Sequence, residues 1–326
     1  MTNWTTLVKS TNAYNVIKSD IENGRLSHAY LVLCADGDNL GNYLKVLTKL
    51  FFCKQGLPCG KCRSCDLIDN GLYPDVAFFP KEGQTVLSDD VNALIQDSYV
   101  KPYEADKKVY VINQGQTMNA SSQNKLLKTL EEPPQNVHIL IGATGEYSLL
   151  PTVLSRVKKL EIAPFDSQVI FNSLKDEYTD HQRLQDAISC ADGSVGKVTS
   201  LYNDQTLQET MDFCQSVILD MQSSRDVLDF STRLSALKGD FNDFLSVLEL
   251  FLRDMLVAKS KGEKYISNVK AYQTLKSATG YGQGALISIL EHITEARRRL
   301  QSNVTKTMVG EWLLFKILED KFKWQK

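Results

Sequence analysis

No run of about 18 apolar residues occurs anywhere in the chain, so a membrane-spanning helix is not expected. An excess of positive charge is missing as well: 37 lysines and arginines face 39 aspartates and glutamates, for a net charge of −2. Without a bulk positive field, any contact with nucleic acid has to be local or shared with a partner. The opening stretch MTNWTTLVKSTNAYNVIKSDIENG lacks a basic-then-apolar layout, so no secretory signal is expected. The four histidines, His28, His138, His181 and His292, show no metal-ligand spacing. No Ser–His–Asp arrangement can be argued, and the sequence offers no nucleophile. Internal repeats and low-complexity tracts are also absent.

What is present reads as a soluble globular protein, 43% hydrophobic and 23% charged. At 326 residues it is too long for one ordinary core and implies two or three domains. Seven cysteines are distributed unevenly, four between positions 53 and 65, with Cys34, Cys190 and Cys214 scattered. An odd total with one tight cluster argues against a secreted disulfide framework and for a reducing cytoplasm.

The first half alternates between strand and helix signals. Short apolar runs bounded by turn residues predict strands at 28–34, 75–79, 108–112, 137–143 and 159–162. Helical periodicity predicts helices over 39–52, from about Ser88 onward, and over 121–131, where Pro133 and Pro134 stop the last. Such alternation implies a mostly parallel sheet covered on both faces. After Pro164 the strand signals end. Three short helices are predicted at 167–177, 181–190 and 195–202, and a long helical remainder starts near Thr206, including 241–260, 284–300 and 307–322. The predicted organisation is an α/β domain over 1–164, a small helical domain over 165–205 and a helical bundle over 206–326. Arg297-Arg298-Arg299 is the strongest basic run of that bundle and reads as a solvated helix face.

The cysteine cluster is CKQGLPCGKCRSC, with Cys53, Cys59, Cys62 and Cys65 spaced x5, x2 and x2. Four soft thiolates satisfy the tetrahedral preference of zinc and leave no open position, which points to one structural zinc ion. Gly56, Pro58 and Gly60 let the backbone turn, and Lys54, Lys61 and Arg63 offset the charge of a tetrathiolate. Two other readings are four free cysteines in a loop and an iron–sulfur cluster. The latter lacks the downstream cysteine-proline of ferredoxin-type sites.

Strand-helix domains of this kind often bind nucleotide where the first strand runs into a glycine-rich turn ending in Gly-Lys-Ser/Thr. Here the stretch reads Ala35-Asp36-Gly37-Asp38-Asn39-Leu40-Gly41-Asn42, with no such motif and with Asp36 and Asp38 set to repel a triphosphate. A strand ending in acidic residues should hold magnesium, but 109–112 is followed by Asn113-Gln114-Gly115-Gln116. Neither a phosphate site nor a magnesium site is made. On these residues alone the loop at Asp36 can also be an ordinary turn.

Three further strings bear on the choice: Asn124-Lys125-Leu126-Leu127-Lys128-Thr129-Leu130-Glu131-Glu132-Pro133-Pro134, Arg25-Leu26-Ser27-His28-Ala29-Tyr30, and Leu154-Ser155-Arg156-Val157. Together with the cysteine spacing they resemble the clamp-loader AAA+ subunits of bacterial DNA polymerase III. The resemblance is motif-specific over the first ~200 residues and architectural beyond them. It implies an AAA+ (P-loop-like) parallel-sheet domain with a zinc-module insertion at 53–65, a helical lid and an all-helical collar. It implies a non-hydrolysing member of the loader, with a degenerate P-loop around Asp36, Gly37, Asp38 and Gly41 and no bound nucleotide. The implied partners are the gamma/tau motor subunits and the delta subunit, with the sliding clamp and primer-template DNA reached through the complex. The family carries a trans-acting arginine in a Ser-Arg-Cys motif. That motif aligns with Ser155-Arg156-Val157, valine replacing the cysteine, so Arg156 is expected to act as an arginine finger. A surface arginine at a strand start is the plainer alternative. Two other functions stay open at this point: an active motor ATPase with an atypical P-loop, and a zinc-dependent DNA-binding module. The string Asp192-Gly193-Ser194-Val195-Gly196-Lys197 resembles the glycine-serine turn that opens a helix of the family's second domain, and is read as a helix cap.

Overall fold

The structure, a computed structural model, describes residues 3–323 apart from 205, 238, 239, 261, 279 and 303. Two compact units emerge: Met1–Thr179 with Gly193–Gly196, and Asp180–Asp192 with Lys197–Lys326. The predicted boundary at residue 205 lies outside the described residues.

The first unit is built on five strands, β1 (Ala29–Cys34), β2 (Val76–Phe79), β3 (Lys108–Ile112), β4 (Val137–Ala143) and β5 (Lys158–Ile162). They form one parallel sheet in the order β2-β3-β4-β1-β5. All five predicted strands are present to within a residue. Every residue of β3 is buried, as a strand packed on both faces requires, whereas β5 at the edge buries only Leu160 and Ile162. Lys158, Lys159 and Glu161 keep that open edge charged. Helix Leu40–Phe52 follows β1 and buries Leu40, Leu44, Leu47 and Phe51, the face its periodicity predicted. Helices Ser88–Ser98 and Ala120–Glu131 also form where expected.

The sheet order carries the functional geometry. Because β1 lies between β4 and β5, the chain reverses direction across the sheet beside β1, and loops at the carboxyl ends of β1, β3 and β4 meet there. Open α/β sheets bind ligands at such switch points. At the opposite, amino-terminal edge, His28 enters β1 beside the start of β4, with the Ile139 N–H donating to the His28 carbonyl at 2.8 Å.

The second unit is helical throughout its described residues, with Phe241–Lys259 and Gln283–Gln301 the longest helices. Phe213, Phe230, Phe241 and Phe244 pack ring against ring at 5.6–5.9 Å. A buried cation, Lys321, donates to the Met221 carbonyl at 2.8 Å and lies over the Tyr281 ring, so its charge is held by a dipole and a π face. The basic run is not a free patch. Arg297 pairs with Glu249 at 2.6 Å, and Arg298 and Arg299 share Glu295. Arg299 also stacks 3.9 Å over Trp312.

Candidate functional site

The loop that follows β1 is where a nucleotide-binding domain of this topology cradles phosphate, and here it is filled from within. Asp36 is buried, and its carboxylate accepts from the Tyr43 hydroxyl at 2.8 Å, the Gly196 N–H at 3.0 Å and the Asn39 amide at 3.3 Å. Burial, with the Asp36 charge beside it, raises the Tyr43 pKa far above the usual phenol range, so this hydroxyl stays a donor. Donors that converge in the loop therefore receive the chain's own carboxylate.

The residues after β3 complete the same picture. Gln114 sits in the left-handed region at φ 60° and donates from Nε2 to the Gly37 carbonyl at 3.0 Å. Gln116 donates to the Gln114 side chain and accepts from the Thr144 N–H at 3.3 Å. An amide can give and take hydrogen bonds at once, whereas a carboxylate only accepts. Two glutamines thus stitch the ends of β1, β3 and β4 together where acids would have held a metal. Asn113 Nδ2 stands 3.2 Å from where a Cβ would sit on Gly41, so the facing pair offers neither carboxylate nor hydroxyl to magnesium. Lys45, on the wall of the adjoining cleft, is engaged with the Asp69 carbonyl at 2.9 Å.

The structure gives Gly193 and Gly196, expected as part of a helix cap, a second role. Gly193 has φ 79°, and a Cβ there would meet Phe165 backbone atoms at 2.8–2.9 Å. Gly196 comes so close to the loop that a Cβ would meet Asp36 Oδ1 at 2.7 Å. Replacing Gly193 with alanine is expected to destabilise the first unit by roughly 3 kcal/mol, from the strained φ plus the backbone clash. Chemical denaturation followed by tryptophan fluorescence checks this; an unchanged midpoint contradicts it.

The four clustered cysteines converge, their sulfurs all within 4.8 Å of one another. Cys53–Cys62 and Cys59–Cys65 are 4.0 and 3.9 Å apart. Sulfurs placed 2.3 Å from a tetrahedral centre stand about 3.8 Å apart, so the set fits one four-coordinate ion. Cys53 ends helix Leu40–Phe52, while Cys62 and Cys65 open helix Arg63–Asp69, with Gly56 and Gly60 at positive φ between them. Hydrogen bonds from the Lys61 and Cys62 backbones lower the Cys59 pKa to about 6. Burial, and then the neighbouring sulfurs, push Cys65 up to about 12. Four thiols alone cannot all ionise this close together, and a soft dication removes that conflict. Lys49, buried on helix Leu40–Phe52, anchors the module through Asp69 at 2.7 Å. Among the described residues no other group of His, Cys, Asp or Glu is arranged for a metal.

Arg156 follows the short helix Pro151–Leu154 and precedes β5. Its Nη1 donates to the Thr152 carbonyl at 2.8 Å and to Ser155 Oγ at 3.0 Å, and its Nη2 meets Glu131 at 2.7 Å. The side chain is about one-third exposed (34%), so the guanidinium keeps a solvent-facing side.

The sheet order, the filled nucleotide loop and the cysteine module together define a class, and comparison with known proteins agrees. A family described as "DNA polymerase III, delta subunit" matches residues 9–166. The chain is similar to clamp-loader subunits of bacterial DNA polymerase III. Its similarity to delta-prime runs almost end to end: the Bacillus subtilis (strain 168) delta-prime subunit is 25% identical over 317 residues, covering 93% of this chain and 94% of that protein. The Escherichia coli K12 delta-prime subunit is 27% identical over 223 residues, 67% of this chain and 66% of its own length. The tau subunit of Salmonella typhimurium is 30% identical over 210 residues, 62% of this chain but only 32% of tau.

Proposed function

We propose that the chain is a delta-prime-like, non-hydrolysing stator of a cytoplasmic clamp loader, a component of the polymerase III holoenzyme without independent activity. In this reading it assembles with gamma/tau motor subunits and delta, and the complex places a sliding clamp on primer-template DNA. Residues 1–164 form the AAA+-like domain with a four-cysteine module for one zinc, residues 165–205 the lid, and residues 206–326 the collar that joins the ring. Arg156 serves as a finger to the ATP held by a neighbour.

The observation that carries the reading is the buried Asp36, which takes three side-chain and backbone donors in the loop where phosphate would bind. Displacing it would leave a triphosphate facing a carboxylate in a dry setting, an unfavourable like-charge arrangement.

Calorimetric titration of the isolated chain with Mg-ATP is expected to give no heat of binding. Mixing the chain with gamma/tau and delta is expected to give one copy per complex by native mass spectrometry. Nucleotide binding by the lone chain would instead favour a motor ATPase, and tight DNA binding by the lone chain a zinc-dependent DNA module.

A further inference from the structure

Three sequence strings far apart in the chain meet at Arg156. Glu131, from the string ending in Pro133 and Pro134, takes Nη2 at 2.7 Å. Ser155, from the third string, takes Nη1 at 3.0 Å. His28, from the string before β1, places Nε2 3.1 Å from the Arg156 carbonyl. A carbonyl can only accept, so His28 carries its proton on Nε2 and donates to the backbone of Arg156. His28 is itself fixed, since its carbonyl accepts from Ile139 N–H, and the His138 ring nitrogen Nδ1 lies 2.8 Å from the preceding Ser27 carbonyl.

The geometry points to Glu131 as a positioning residue for Arg156, with His28 holding the backbone that carries it; this rests on the finger reading proposed above. An arginine side chain has many rotamers, and a finger acts only in the narrow set that reaches the transferring phosphate. Glu131 ends helix Ala120–Glu131, which packs on the sheet through Leu126 and Leu130, so its carboxylate is delivered from a rigid element. The Thr152 carbonyl and Ser155 hydroxyl hold Nη1, and Glu131 holds one edge of Nη2. Three of five donor hydrogens are then used on the protein side, leaving two to meet a neighbour's phosphate. Both side chains keep a third or more of their surface in water, so the pair orients the guanidinium without burying it.

The test uses the assembled complex and the full-length chain. Glu131→Ala is expected to lower the single-turnover rate of ATP hydrolysis at the site Arg156 serves roughly tenfold, with ATP affinity and assembly near wild type. Glu131→Gln keeps an acceptor at the same place and is expected to restore most of the rate. In an Arg156→Ala background, Glu131→Ala should cost nothing more, because the two act as one unit. In the isolated chain, nitrogen-15 NMR of the arginine side chains should show Arg156 guanidinium rotation slowed in the wild type and freed in Glu131→Ala. Wild-type turnover in Glu131→Ala, or a loss that persists without Arg156, overturns the proposal. If Arg156→Ala leaves turnover unchanged, the finger reading fails. Positioning is then decided by the NMR alone: equal rotation in wild type and Glu131→Ala overturns it.

Discussion

Replacing Arg156 with alanine in the assembled complex is expected to slow hydrolysis at the neighbouring ATP site by at least roughly 10³-fold, about 4 kcal/mol of lost transition-state stabilisation. The loss should fall on kcat, since the finger meets charge that develops as the phosphoryl group transfers. Steady-state turnover also counts sites that Arg156 does not serve, so a single-turnover measurement on that site is the sharper readout. Folding should be nearly unaffected. The Arg156–Glu131 pair is a partly exposed ion pair, with side chains 34% and 49% accessible, and such pairs contribute only about 0–1 kcal/mol. The carboxylate left behind faces water and needs no new partner. The contrast between a large rate effect and a negligible stability effect separates a finger from a structural arginine. Arg156→Lys should rescue little, because an ammonium group cannot reproduce the planar fork. Unchanged turnover in Arg156→Ala, with the complex intact, removes the finger role.

Strands are readable because a parallel sheet buried on both faces demands unbroken apolar runs, and β3 and β4 have them. Helix Trp4–Lys9 is too short for a reading by periodicity and buries only Leu7 and Val8. Helix Asn12–Glu22 does carry a helical stripe, with Ala13, Tyr14 and Ile17 buried on one face, although the stretch reads first as a simple alternation of polar and apolar residues. Their caps do leave a signal, since Asn3 and Thr11 accept from the N–H groups of Thr6 and Tyr14. Helix Arg63–Asp69 is hidden inside the metal-binding spacing, where cysteines take the place of an apolar stripe.

The candidate site divides in the same way. The cysteine spacing is local, and the four sulfurs do meet. The charge of Asp36 is legible as hostile to phosphate, but its partner Gly196 lies 160 positions along the chain, and nothing local announces that bond. Glu131 and His28 stand in the strings that mark the family, yet the strings alone give them no role. Their meeting with Arg156 depends on β1 lying between β4 and β5, and strand order is not written in periodicity.

Cys62→Ser is the second substitution with a large expected effect, and its reach should be local. Freshly purified reduced protein is expected to hold about one zinc per chain by plasma emission analysis, and the variant far less. Binding of structural zinc to four thiolates is worth about 10–16 kcal/mol in small zinc-finger peptides, where it drives folding outright. The segment 53–65 has little apolar surface of its own: Leu57 is exposed, and of its residues Cys53, Pro58, Ser64 and Cys65 are the buried ones. Without metal it should open, and limited proteolysis should cut there first. The sheet beneath has an independent core, with Leu31, Ile112, Ile139 and Ile141 all essentially inaccessible, so its unfolding transition should persist. Lys49 and Asp69 join module and core from residues outside the loop, and that contact should also survive. Iron in place of zinc, or no metal in the reduced wild type, overturns the structural-zinc assignment. Global unfolding of Cys62→Ser would show instead that the module is needed for the whole first unit.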